Sequence, residues 1–341
     1  MFLSNTAGQS DLPRYFSTVF DVAARMNRGV LDFVLPDGRI FRAEGKAPGP
    51  VATLQIHNPD IFARLVREGD LGFCEAYLDG WWSTSDLQAF MDLIHAENEE
   101  LYDGFPGMGF VRAYEKMRFW LQSNSKRQAK KNISYHYDLG NDFYGLWLDQ
   151  TMTYSSALFE TGQNSLETAQ IAKYASMVDQ MAVQPGDHVL EIGCGWGALA
   201  EMATMEHGAH ITGVTLSTEQ LDFARARMQR QGVAAQADLR LQDYRDIADG
   251  PYDAVCSIEM IEAVGQGFWP TYFSTVARML KPGGKACIQS IVIADPLFER
   301  YLASTDFIQQ YIFPGGCLPS PSEFKAQARA AGLEVVQEHA F

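Results

Sequence analysis

The sequence predicts an α/β chain built on a doubly wound parallel sheet, preceded by a small α+β domain. Three observations carry this prediction. From residue 187 onward, short apolar runs alternate with helical patterns, the order that builds a parallel sheet with helices on both faces. One of these runs, Val189-Leu-Glu-Ile-Gly-Cys-Gly-Trp-Gly-Ala-Leu-Ala200, passes from an apolar strand through three alternate glycines into an amphipathic helix. At 341 residues and 47% hydrophobic content, the chain is long enough for two domains and a sizeable core.

Apolar residues recur at helical spacing from Tyr15 to Arg28. Leu31 to Arg42 then reads as two strands around the turn Pro36-Asp37-Gly38. A Pro/Gly-rich link, Ala47 to Pro50, leads to a strand over Val51 to His57. A helix is expected from Asn58-Pro59, with Phe62, Leu65 and Val66 facing inward. Gly69 to Trp82 mixes acidic and aromatic residues without a paired His or Lys and is read as packing. These elements make a small domain over residues 1–105.

Residues 106–131 are expected to form a basic linker helix, in which Lys and Arg interleave with Tyr114, Phe119 and Trp120. Such a helix either lies on anionic lipid, where each basic group contributes about 1 kcal/mol, or is a solvated connector. Residues 132–341 form the second domain, with strands expected at 187–193, 210–216, 238–242, 253–258, 285–293 and 333–340. Helical patterns separate them, for example Gln220 to Gln231 and Trp269 to Leu280. Ligands of such sheets lie beyond the carboxyl ends of the strands. That rule places Gly193 to Gly197, Thr215 to Gln220, Asp243-Tyr244 and Ser257 to Glu262 along one rim.

A net charge of -15 and a pI near 4.9 argue against a nucleic-acid-binding surface. The five cysteines are widely spaced and form no CxxC, so neither a disulfide framework nor a metal site is expected. The start of the chain lacks the charged region and apolar core of a signal peptide, and no run of about 18 apolar residues occurs. The expectation is a cytoplasmic protein whose membrane contact is peripheral.

The glycine spacing is GxGxG rather than the GxGxxG of a dinucleotide site. With Glu191 ahead of it, Glu191-x-Gly193-x-Gly195-x-Gly197 resembles motif I of the S-adenosylmethionine-dependent methyltransferases. Further motifs narrow the likeness: Tyr135-His-Tyr-Asp-Leu-Gly-Asn-Asp-Phe-Tyr144, Tyr154-Ser-Ser-Ala157, Gly213 to Gln220, Gln242 to Asp246, Met260 to Gly265, Leu280 to Gly284 and Tyr311 to Ser320. Together they resemble the cyclopropane-fatty-acyl-phospholipid synthase family, which includes the mycolic acid cyclopropane synthases.

That resemblance implies a Rossmann-like class I methyltransferase using S-adenosyl-L-methionine on the cis double bond of a phospholipid-bound acyl chain. It places Tyr154 and Ser155 at the cofactor, the glycine loop and Glu191 at its methionine part, Thr215 and Gln220 at the ribose, and Asp243 and Tyr244 at the adenine. It also implies a bound bicarbonate as base, held by Glu262 and the backbone of Ile291. Ser156 stands where the family has Cys, Gln289 where it has His, and Ala263 where His is common. No imidazolium remains there, so the base is expected to be weakened or repositioned.

The expected product is a cyclopropane fatty acid, with a methyl- or methylene-branched chain as the alternative outcome of the same cation. Two other readings are an amine N-methyltransferase and a non-catalytic lipid- or cofactor-binding subunit. The expected partners are the phospholipid surface and its acyl chain, with a homodimer contact through the N-terminal domain as a further candidate. The family continues past Phe341 into a last strand and a Gly-x-Asp-Tyr segment, so the domain is expected to be C-terminally incomplete, its last strand missing.

Overall fold

The computed structural model describes residues 2–96, 124–126, 128–129, 140–159, 165–303 and 305–341. The chain divides into two compact units, Met1–Arg118 with Ser304–Phe307 and Phe119–Ala303 with Ile308–Phe341. Most of the basic stretch, including Arg127, Lys130 and Lys131, and the motif residues Tyr135 to Asp138 lie outside the described residues.

In the first unit the strands are β1 (Phe2–Leu3), β2 (Arg28–Val34), β3 (Ile40–Glu44), β4 (Ala47–Ile56) and β5 (Trp82–Ser83), in the order β1-β3-β2-β4-β5. The hairpin around Pro36-Asp37-Gly38 forms as β2 and β3, antiparallel in the register Val30↔Glu44 to Val34↔Ile40. Helix α1 (Phe16–Ala23) is shorter than the apolar spacing suggests, because Arg28 already opens β2 and the turn before it ends the helix. Phe16 and Phe20, one helical turn apart, pack on Phe33 and Phe41 of the sheet at ring separations of 4.8 to 5.8 Å.

The expected link Ala47–Pro50 belongs instead to β4, whose ladder with β2 shifts register between Arg28 and Val30. A bulge of this kind lets a strand carry a proline, which has no N–H to donate. Helix α2 (Ile61–Leu78) runs through Gly69, whose φ of 63° and ψ of -149° kink it. The aromatic stretch after the kink packs as expected: buried Trp82 donates its indole N–H to Phe73 O at 3.0 Å. Helix α3 (Leu87–Ala96) adds Phe90 and Leu93 to the same core.

The second unit is a five-stranded, all-parallel sheet of β6 (His188–Ile192), β7 (His210–Thr215), β8 (Ala237–Leu241), β9 (Tyr252–Ile258) and β10 (Leu280–Gln289), ordered β10-β9-β6-β7-β8. Its described α-helices are α4 (Gly140–Tyr144), α5 (Leu166–Met181), α6 (Ala198–Met205), α7 (Thr218–Arg230), α8 (Ile261–Val264), α9 (Trp269–Met279), α10 (Asp295–Ala303) and α11 (Pro321–Ala330). One core sets Val189, Ile211 and Ala254 against Met177, Leu199, Leu221 and Ala224. A second sets Leu190, Ile192 and Val255 against Tyr272, Phe273 and Val276. Successive β6 residues thus enter opposite cores, which is why the strand reads as a continuous apolar run.

The sheet order reverses at β6, with β7 on one side and β9 on the other, and this is the topological switch point where such folds bind ligands. One expected strand does not form. Residues 333–340 carry an apolar alternation, and Leu333 and Val335 pack against the second core, but their backbone pairs with none of the described strands. Alternation meets the demand of one buried face, whereas a strand also requires a neighbouring backbone to complete its ladder. Among the described residues no helix is long and apolar enough to cross a membrane.

Candidate active site

After β6 the chain bends away from the sheet, with the amides of Gly193 and Cys194 both donating to Val214 O at 3.0 Å. Two of the glycines differ in what they permit. A Cβ on Gly197 (φ 82°) would stand 2.9 Å from Ala224 Cβ, so this position is needed for close packing of the loop on α7. A Cβ on Gly195 (φ 50°) would meet nothing within 4 Å, leaving its backbone open to an approaching ligand.

Beneath the loop, Glu191 is buried and its Oε2 has no hydrogen-bond partner among the described residues. Burial pushes its carboxyl well above the usual carboxylate range. Such an orphaned group calls for a partner that the described residues do not supply. At the end of β7, Thr215 Oγ1 donates to Gln220 Oε1 at 2.8 Å, and Ser217 caps α7 by accepting from Gln220 N.

Beyond β8, Asp243 accepts from Arg245 Nε at 2.8 Å and Nη2 at 2.6 Å. Burial raises the Asp243 carboxyl, but the fork of Arg245 outweighs it and holds the group below its ordinary value. The neighbouring Tyr244 hydroxyl is buried without a hydrogen-bond partner among the described residues.

The segment Tyr154-Ser155-Ser156 is held at each residue. The Tyr154 ring lies 5.5 Å from Tyr144, 5.3 Å from Trp147 and 6.5 Å from Phe313. Ser155 is clasped by α5: Gln170 Nε2 donates to its carbonyl at 2.7 Å and Lys173 Nζ to its hydroxyl at 2.6 Å. Ser156 N donates to Glu259 Oε1 at 2.8 Å, and Gln289 Nε2 donates to Ser156 O at 3.3 Å and to Glu259 Oε1 at 2.8 Å.

Glu262, in α8, accepts from the amide of Ile291 through Oε1. Burial pushes its carboxyl up to about 7, with the charge of Glu259 adding to the rise and the Ile291 amide holding it back.

The sequence-predicted residues Glu191, Gly193, Gly195, Gly197, Thr215, Gln220, Asp243, Tyr244, Glu262, Gln289 and Ile291 therefore lie in the last residues of the parallel strands or in the segments that follow them. Tyr154, Ser155 and Ser156 join them from an earlier segment. Three residues were given no role by the sequence reading: Glu259, which it placed on the rim only as part of Ser257 to Glu262, and Gln170 and Lys173. The last two sit three apart on α5 at the spacing of buried Ala169, Met177 and Val178, and a lysine on a buried helical face is the signal that could have found them.

Lys173 is 1% exposed, and burial lowers its ammonium to about 8, with Glu259 opposing the shift. A depressed folded value contributes stability that is present above the unfolded value near 10.5 and lost as pH falls through about 8. Wild-type stability should therefore gain a component of about 3 kcal/mol as pH rises over that window. Lys173→Met should lack that component in pH-dependent thermal denaturation; an unchanged pH profile would show that Lys173 is not desolvated.

The open glycine and the buried carboxyl stand at the switch point where such sheets bind ligands, and the comparisons with known proteins identify the chain as an S-adenosylmethionine-dependent methyltransferase. The chain belongs to the mycolic acid cyclopropane synthetase family, whose model matches residues 124–341. It is similar to the tuberculostearic acid methyltransferase of Mycobacterium tuberculosis, at 40% identity over 85% of this chain and 68% of that protein. Likeness to the cyclopropane-fatty-acyl-phospholipid synthase of Escherichia coli strain K12 is 38% over 81% of this chain and 68% of that protein. Among solved structures, a mycolic acid cyclopropane synthase complexed with SAH and CTAB matches with 32% identity and a TM-score of 0.56, over 61% of this chain and 76% of that one.

Proposed function

We propose that the protein adds a one-carbon unit to the cis double bond of a phospholipid-bound unsaturated acyl chain, forming a cyclopropane fatty acid at a peripheral membrane surface. The observation that carries this reading is the Tyr154 ring, set among Tyr144, Trp147 and Phe313 and tied through Ser155-Ser156 to the carboxylate cluster. An alkene is a weak nucleophile, and its methylation develops a carbocation that electron-rich rings stabilise. Exposed Phe143, Leu146 and Trp147, in and just after α4, offer an apolar approach for the chain.

When bound, S-adenosylmethionine supplies an electrophilic sulfonium methyl. In this reading Glu191 and the open backbone at Gly195 receive its amino acid part, Thr215 and Gln220 the ribose, and Asp243 and Tyr244 the adenine. The clasp on Ser155 from Gln170 and Lys173 orients Tyr154 toward the reacting carbons. Glu262, fixed by Ile291, lies at the rim where the cation must lose a proton.

A methyl- or methylene-branched product is a second reading, favoured by Ser156, Gln289 and Ala263, which leave no imidazole at these positions. Incubating the protein with S-adenosylmethionine and cis-unsaturated phospholipid vesicles, followed by acyl-ester mass spectrometry and NMR, should show addition of one carbon. The NMR spectrum separates ring from branch. Absence of any one-carbon product, or transfer to a soluble amine in preference to lipid, would overturn the proposal.

A further inference from the structure

A bicarbonate base at this site would need the donors of Ser156, Gln289 and Ile291, and all three are committed to carboxylates of the chain. Ser156 N and Gln289 Nε2 converge on Glu259 Oε1, each at 2.8 Å, and Ile291 N donates to Glu262 Oε1. An added anion would find like charge where it needs donors, and like charges held close together repel. The residues present do not fit a bound bicarbonate.

We propose that Glu259 is the built-in catalytic base of this enzyme, a carboxylate of the chain that takes the place of the ion and removes the proton from the methylated acyl cation. The inference rests on the alkene-methylating reading above. Glu259 directly follows β9 on the ligand-binding rim, three residues before Glu262. Its φ of 46° lies in the left-handed region, which strains a residue with a Cβ and persists only where the surroundings enforce it.

The enforcing contact is a two-point clasp by Gln289. Glu259 N donates to Gln289 O at 2.9 Å while Gln289 Nε2 donates back to the Glu259 carboxylate. Oε1 is thus saturated by two donors, whereas Oε2 receives no hydrogen bond from the described residues and is the oxygen left to accept a proton. Ser156 and Gln289 become positioning residues for this carboxylate.

The proton balance is complete without an oxidant or reductant. Methyl addition leaves a three-coordinate cationic carbon on the acyl chain. Glu259 Oε2 takes a proton from the added methyl, and the electron pair of that C–H bond closes the ring onto the cationic carbon. If the proton comes instead from the neighbouring chain carbon, the pair forms a C=C bond and the product is branched. In both cases the carboxylate becomes a carboxylic acid and returns its proton to solvent before the next turnover.

Two measurements test this. In buffer stripped of carbon dioxide, wild-type kcat should stay within about twofold of its value with added bicarbonate, while Glu259→Gln should lower kcat by about 100-fold or more. Glu259→Gly suits the left-handed backbone, so it should fold and bind S-adenosylhomocysteine like wild type, lose activity equally, and regain it in part on addition of formate or bicarbonate. By NMR, ¹³C-bicarbonate should not bind the S-adenosylhomocysteine-saturated wild type and should bind Glu259→Gly. Bicarbonate-dependent wild-type turnover, bicarbonate binding to wild type, or an active Glu259→Gln would each overturn the proposal. If wild type yields no one-carbon product, the substrate reading falls, and the NMR arm still reports whether Glu259 holds the place of the ion.

Discussion

Glu262→Gln is expected to stabilise the protein at pH 8. The carboxyl is buried and raised to about 7 from an ordinary value of 4.5. For an acid whose folded value is raised, stability is fully present below pH 4.5 and is lost as pH climbs through 7. Above that window the ionised, desolvated group costs about 3 kcal/mol. Glutamine keeps the acceptor for the Ile291 amide and removes the charge. The melting temperature of the variant should therefore exceed that of wild type at pH 8 and match it near pH 4.5. Equal destabilisation at both pH values would mean that the carboxylate is held by partners and does not carry the burial penalty.

Two alanine substitutions in the glycine loop should separate folding from ligand binding. Gly195→Ala should cost about 1 kcal/mol in stability, the strain of a Cβ in left-handed backbone, because no protein atom opposes the methyl. Its affinity for S-adenosylmethionine should nevertheless fall by about 100-fold, near 2.7 kcal/mol, since the methyl stands over the backbone a ligand must approach. Gly197→Ala should show the reverse, because its Cβ meets Ala224 at 2.9 Å and forces α6 and α7 apart, a destabilisation of about 3 kcal/mol. Calorimetric titration with thermal denaturation checks both. Unchanged affinity in Gly195→Ala would remove the loop's open face from the binding site.

Much of the catalytic half was legible because its signals are local. The apolar run of β6 reads as a central strand since both faces of Val189-Leu190 enter a core, and the glycine spacing marks the turn off the sheet. Where a signal needs a partner to become structure, local reading overreached. Residues 333–340 alternate like a strand, yet no described strand pairs with them. Ala47 to Pro50 has the composition of a loop, yet a register shift against β2 lets it extend β4.

The residues that were missed share one cause. Glu259 gains its meaning from Ser156, 103 positions earlier, and from Gln289, 30 positions later. Lys173 looks like an ordinary helical lysine until Ser155 is folded against it.

The sequence by itself determined the parallel sheet and its rim, because strand periodicity and a glycine turn act within a few residues of one another, and its resemblance to a known family implied the cofactor class. Only the tertiary structure decided what surrounds Glu262, Lys173 and Glu259. Burial, which raises Glu262 and lowers Lys173, and the convergence of two donors on Glu259 depend on segments that meet only when the chain has folded.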